Sequence, residues 1–204
     1  MSERAEGTGP DGAVRVDPVT PASWPLVEAV LGQKGDPRRC WCQWFLQRNA
    51  QWQASSAAER KEALEAEVAA AGTPPPGLVA TMDGEPAGWC RVGPRTGYPR
   101  LTASTKARAA GDDLGDPSVW AVVCFVVAPA ARGTGLTSVL LDAAVATARA
   151  GGARVVEAYP VDVGARPGVN ASALYHGSLS TFLAAGFVEV TRTTAARPVV
   201  RLDL

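Results

Sequence analysis

The sequence predicts a single α/β domain in which a central mixed, twisted sheet is flanked by helices. Three observations carry that expectation. Trp120 to Val127 is an uncharged run of large and β-branched residues, the signature of a strand buried on both faces. From Leu136 the apolar period becomes helical, with Leu136, Val139, Leu140 and Ala143 at i, i+3, i+4 and i+7. A second apolar strand, Arg154 to Tyr159, follows that helix, so the two strands become parallel neighbours across a helical crossover.

The joint between the central strand and helix is the most informative stretch. Pro129 ends the strand, because proline has no N–H for a ladder. Arg132-Gly133-Thr134-Gly135 then makes a turn whose glycines accept positive φ and close approach by another group. Gly151 and Gly152 stop the helix. A buried strand, a glycine turn and a helix N-terminus aim free N–H groups and a positive dipole at one point, which suits a phosphate or pyrophosphate. A P-loop is excluded, because no lysine follows Gly135. The dinucleotide fingerprint lacks its third glycine, where Ser138 stands.

The remaining chain supplies the other elements. Residues 1–12 are rich in Gly, Pro and charge and are expected to be a loose tail, leaving 13–204 as the domain. Val14-Arg15-Val16 opens the sheet, and Thr20-Pro21 caps a helix through Trp24, Val27, Val30 and Leu31. Arg38 to Phe45, with Cys40-Trp41-Cys42-Gln43-Trp44, packs so much aromatic surface into an irregular stretch that something must cover it: core, substrate or partner. Ser56-Ala57-Ala58-Glu59 is a capping box for a helix to Ala71, with a thin stripe of Leu64 and Val68. Leu78 to Met82 and Pro86 to Val92 form a hairpin at Asp83-Gly84-Glu85. Gly93 to Pro117 shows no sustained period and reads as a long loop. After a loop at 160–169, a helix runs from about Asn170 or Ser172 to Ala185, broken or frayed near Gly177. Phe187 to Thr191 and Val199 to Leu202 close the sheet as an antiparallel pair.

The totals bound the function. The chain has 204 residues, enough for one real core, and 47% of them are hydrophobic. Twenty basic residues balance twenty acidic ones, so nothing draws the chain toward nucleic acid or an anionic membrane. The longest uncharged apolar run is too short to span a bilayer, no secretory segment opens the chain, and a cytoplasmic location is expected. Four cysteines make no disulfide framework, and Cys40-x-Cys42 lacks the second pair a zinc site needs, so no metal is expected. Cys90 and Cys124 read as buried thiols.

Val127-x-Pro129-x-x-Arg132-Gly133-x-Gly135 between strand and helix resembles the acyl-CoA motif of the GNAT superfamily of N-acyltransferases, with Thr137 where Gly or Ala is usual. The element order resembles that superfamily over nearly the whole chain, and Ser178 to Phe187 resembles its final helix ending in Gly-Phe. The Cys40-Trp41-Cys42-x-Trp44 segment, with Gly88-Trp89-Cys90-Arg91-Val92-x-Pro94-Arg95, is similar to a largely actinobacterial subgroup. The resemblance implies a GNAT-like fold and acetyl-CoA as co-substrate. It places Phe125, Val126, Val127, Arg132, Gly133, Thr134, Gly135, Leu136, Thr137 and Ser178 around that co-substrate. It implies transfer to a primary amine of a small molecule or peptide, and a monomer or homodimer without nucleic-acid or membrane partners is expected. In the family, backbone N–H groups at the end of the central strand polarise the thioester, a position held here by Val126 and Val127.

Two familiar catalytic groups are missing. Relatives often carry a carboxylate base where this chain has Val123-Cys124, and a tyrosine where it has Phe182. Tyr175 lies two helical turns before Phe182 and is the candidate catalytic phenol; it could equally hold the pantetheine or fill the core. His176, the single histidine, has a pKa range suited to a base. Glu157, Tyr159 and Asp162, or Asp112, Asp113 and Asp116, could line an acceptor pocket, and Arg38, Arg39, Arg91, Arg95 and Arg100 could converge on an anionic substrate group. The missing groups also admit a non-catalytic acyl-CoA sensor, and a misread glycine turn would leave a nucleotide-binding α/β enzyme.

Overall fold

The computed structural model describes residues 7–8, 13–70, 72–103, 112–165, 168 and 171–204. Among the described residues eight strands make one sheet in the order β1-β2-β3-β4-β5-β6-β8-β7. They are β1 (Gly7–Thr8), β2 (Ala13–Pro18), β3 (Leu78–Met82), β4 (Glu85–Pro94), β5 (Val119–Val127), β6 (Val155–Ala158), β7 (Val188–Thr194) and β8 (Arg197–Asp203). Only β5 and β6 are parallel, as the helical crossover requires; every other pair is antiparallel. Two residues of the expected tail, Gly7 and Thr8, pair with Val14 and Ala13 as an edge strand; the rest of 1–12 lies outside the described residues.

Among the described residues seven helices flank the sheet: α1 (Trp24–Leu31), α2 (Asp36–Cys40), α3 (Asn49–Ala54), α4 (Ala57–Ala69), α5 (Pro99–Thr102), α6 (Leu136–Ala150) and α7 (Leu179–Ala184). The core therefore falls into two clusters, one on each face. Leu136, Leu140, Leu141, Ala144 and Ala148 of α6 pack with Val122, Phe125 and Phe182 on one side. Val27, Val30 and Leu31 of α1 pack with Leu64, Trp89 and Val123 on the other. β5 supplies both clusters because its neighbouring residues alternate between faces, apart from Val123 and Cys124 at a bulge against β4, which is why it reads as a continuous apolar run.

The structure revises three expectations. The stretch 93–117, expected as a loop, contains a 3-10 turn at Arg95–Gly97 and the short α5, with 104–111 outside the described residues. Between α1 and α4 lie two further short helices, α2 and α3, whose length leaves too few turns for periodicity to show. The helix expected from residue 170 or 172 to Ala185 is two pieces, a 3-10 segment at Ala171–His176 and α7, and Asn170 is outside the described residues. Gly177 separates them at φ +78, where an added Cβ would lie 2.8 Å from Phe182 Cε2. The fully buried Phe182 thus demands a glycine, and the glycine breaks the helix.

Candidate active site

The site begins where β5 and β6 part. Their pairing ends at Val122↔Ala158, while β5 continues to Val127. The divergence is written in the chain after β6. Pro160 has no N–H to give to a ladder, and Val161 bridges Ser178 instead of β5. On the other side β4 stays paired with Phe125, Val126 and Val127. Alternate backbone groups at the end of β5 therefore point into an open gap.

That gap leads into a cleft of about 660 Å³. One wall is the end of β5 with the turn into α6. Gly133 and Gly135 have φ of +78 and +83, and a Cβ at either would meet nothing within 4 Å, so here glycine serves the backbone conformation rather than close packing. Among the described residues, the amides of Gly133, Thr134, Gly135, Leu136 and Thr137 have no hydrogen-bond acceptor. Helix geometry leaves the first amides of α6 unpaired, and its dipole adds partial positive charge. The neighbouring Arg132 is exposed, its Nε 3.4 Å from the Val127 carbonyl. An anion with several oxygens fits this cradle better than any other ligand class.

A sequence model of the acetyltransferase (GNAT) family matches residues 39–176. The chain belongs to the GNAT acetyltransferase family. It is accordingly an acyltransferase by family. Its fold matches those of solved GNAT proteins at low sequence identity. The GNAT domain of S. lividans PAT is 21% identical, with a TM-score of 0.58, covering 98% of this chain and 97% of that one. The paia N-acetyltransferase from Thermoplasma acidophilum, solved in complex with coenzyme A, is 12% identical at a TM-score of 0.54, covering 94% and 99%. The putative acetyltransferase yncA from Salmonella typhimurium, solved with acetyl-CoA, is 16% identical at 0.52, covering 94% of each chain. No curated protein matches the sequence.

Within this GNAT fold, Phe125, Val126, Val127, Arg132, Gly133, Gly135, Leu136, Thr137 and Tyr175 all line the cleft. Two of the expected residues do not. Thr134 turns its hydroxyl back to donate to the Ala131 carbonyl at 2.8 Å. Ser178 caps α7, its Oγ accepting from the Thr181 amide at 3.3 Å. Tyr175 reaches the cleft from the 3-10 segment and not from a face shared with Phe182, because Gly177 intervenes. Burial pushes its phenol up to about 12, so it keeps its proton at neutral pH. His176 is buried, and burial together with the Arg197 charge lowers it to about 3. Such an imidazole is a very weak base, which removes His176 from that role.

The opposite wall comes from the aromatic segment, including Arg39, Cys40, Cys42 and Trp44. Trp41 and Cys42 both have positive φ, an unusual pair outside glycine. Their surroundings hold them there: Arg91 Nη1 donates to the Cys42 carbonyl at 2.9 Å, and Trp89 Nε1 donates to Cys42 Sγ at 3.1 Å. Trp41 itself is buried and stacks on Trp24. Burial pushes the Cys42 thiol up, but the Cys124 thiol, the Arg91 charge and Trp89 outweigh it and hold Cys42 below the usual thiol range. Cys40, also on the cleft, is pushed up to about 11 by burial. The four thiols are free, and among the described residues no group of three His, Cys, Asp or Glu side chains is arranged to hold a metal. The density of Cys and Trp at 40–44 was the available signal for this wall.

The carboxylates expected near an acceptor are engaged elsewhere. Asp112 Oδ2 is 2.7 Å and Glu157 Oε2 3.2 Å from Arg95 Nη1. Arg201 Nε reaches Glu157 at 2.7 Å, and the Tyr159 hydroxyl donates to Glu157. Burial opposes the Asp112 charge, yet hydrogen bonds from Arg95 and Arg201 outweigh it and keep the carboxyl below its usual range. Asp162 pairs with Arg192, Asp116 with Arg154, and the Asp113 side chain accepts from the Gly115 amide. The expected convergence of arginines is likewise dispersed: Arg91 pairs with Glu67, and Arg95 with Asp112 and Glu157.

Proposed function

We propose that this protein transfers an acetyl group from acetyl-CoA to a primary amine of a small molecule or peptide. The run of unpaired amides from Gly133 to Thr137, facing a cleft that leads to the open end of β5, carries this reading. Those amides and Arg132 would hold the pyrophosphate of the co-substrate. The thioester it supplies is the acyl source, and β5 amides at Val126 and Val127 would donate to the carbonyl oxygen as negative charge develops there. Tyr175, protonated throughout the neutral range, acts as a hydrogen-bond donor to the departing sulfur and not as a base. No carboxylate stands on β5, so the amine proton leaves to solvent. Among the described residues no helix is long and apolar enough to cross a membrane. A cytoplasmic monomer or homodimer, from a largely actinobacterial subgroup marked by Cys40-Trp41-Cys42-x-Trp44, completes the reading.

The missing strand carboxylate and the buried Phe182 favour one rival, a non-catalytic acyl-CoA sensor. Release of free CoA thiol from acetyl-CoA across an amine panel separates the two. Amine-dependent release supports the transferase. Binding of acetyl-CoA with no release above the hydrolytic background supports the sensor.

A further inference from the structure

A second cavity of about 270 Å³ lies beside the cleft. Trp44 lines both, and the consecutive Tyr175 and His176 line one each, their rings 3.9 Å apart. The two spaces thus meet at Trp44 and at the Tyr175–His176 pair.

The charge in the second cavity is uncompensated. Arg100 and Arg197 line it, and among the described residues no Asp or Glu does. Arg100 lies over the Trp44 ring at 3.6 Å, with Nε donating to the Trp44 carbonyl and Nη1 to Asn49. Its Nη2 is buried with no hydrogen-bond partner among the described residues. The same is true of Nδ1 of His176, a side chain only 8% exposed. Arg197 makes no ion pair among the described residues either. By contrast, the adjacent cluster of Arg95, Arg201, Asp112 and Glu157 is balanced within itself. Buried polar atoms are seldom left without partners, and here two such atoms belong to side chains lining one small cavity.

We propose that this cavity binds the carboxylate of the acyl acceptor, so that the enzyme acetylates amines that also carry a carboxylate. The half-buried Arg197 guanidinium supplies donors to two oxygens and one negative charge, and Arg100 Nη2 and His176 Nδ1–H, enclosed as the side chains stand, join it when those side chains turn toward the cavity. A phosphate dianion would need more donors than these, since two Arg100 nitrogens are already committed. With its carboxylate there, the acceptor reaches past Trp44 and Tyr175 to bring its amine to the open end of β5. This rests on the acetyl-transfer reading above.

The test compares acids with their amides. Thiol release from acetyl-CoA is followed with β-alanine and γ-aminobutyrate, with the corresponding amides, and with phosphoethanolamine. The acids are expected to exceed their amides in kcat/KM by about 10-fold or more, the scale of a charge-assisted contact. Arg197→Gln, chosen because Arg197 is only half-buried while Arg100 is packed on Trp44, should erase that ratio through KM of the acids. Equal use of acids and amides, equal loss for both in the variant, or preference for phosphoethanolamine would overturn the assignment. Calorimetry of the two acids against CoA-saturated protein separates this inference from the reading beneath it. Arg197-dependent binding of the acids without thiol release keeps the carboxylate site and removes the transferase. Thiol release with the amides and no binding of the acids does the reverse.

Discussion

Tyr175 and His176 are neighbours in sequence, share a ring contact, and have opposite prospects in the chemistry. With its proton held to about pH 12, Tyr175 can only donate. If that donation assists the leaving sulfur, Tyr175→Phe should lower kcat about 10- to 1,000-fold with CoA affinity little changed. An unaltered kcat in the folded variant would make Tyr175 a packing residue. His176 instead reports on stability. Its pKa falls from 6.5 to about 3 on folding, so between those values the unfolded chain binds the extra proton. Stability from this group is therefore complete above about pH 6.5 and is lost as pH falls toward 3, at up to about 1.4 kcal/mol per pH unit. The urea midpoint of wild type should fall relative to that of His176→Phe as pH is lowered through that window. Parallel curves would mean that the imidazole is solvated.

At the scale of an element, the turn into α6 and the break before α7 each depend on glycine for a different reason. Gly133 and Gly135 keep the backbone amides turned toward the cleft, and Arg132 adds an exposed charge beside them. Arg132→Ala should weaken CoA in calorimetry much more than it weakens pantetheine, which lacks the pyrophosphate. Equal losses for both would place the anion elsewhere. Gly177 is held by its neighbour. An alanine there would combine a left-handed φ with a Cβ 2.8 Å from Phe182, and Gly177→Ala should cost about 2 kcal/mol or more. Denaturant unfolding with a wild-type midpoint would show that the 3-10 segment can shift as a unit.

Across the whole molecule, the buried cluster of Arg95, Arg201, Asp112 and Glu157 joins β6, β8 and the segments on either side of residues 104–111. A pair already desolvated in the fold adds little, but removing one member strands the rest. Glu157→Gln should therefore destabilise by about 3 to 5 kcal/mol, read from urea unfolding, even though it leaves the cleft lining untouched. A shift under about 1 kcal/mol would mean that water reaches these groups.

The sequence by itself determined the strand, glycine turn and helix from Val119 to Gly151, the hairpin at Asp83-Gly84, and the parallel crossover to β6. Each of these is a local signal: periodicity, a backbone angle only glycine accepts readily, or a proline that cannot pair. The family resemblance rested on the Val127-to-Gly135 motif together with the element order and Ser178 to Phe187, and the expected cleft-lining residues between Phe125 and Thr137 are there with one exception, since the Thr134 hydroxyl turns back to Ala131. Tertiary structure alone decided the rest. Glu157 and Asp112 look like available carboxylates until Arg95 and Arg201 arrive from elsewhere in the chain. Arg100 was one of five arginines with nothing local to set it apart. Its distinction lies in a cavity it shares with Trp44, His176 and Arg197, residues that only the closing of the sheet brings together. Charge and composition are properties of the chain, whereas which charges remain uncompensated depends on every neighbour that folding supplies.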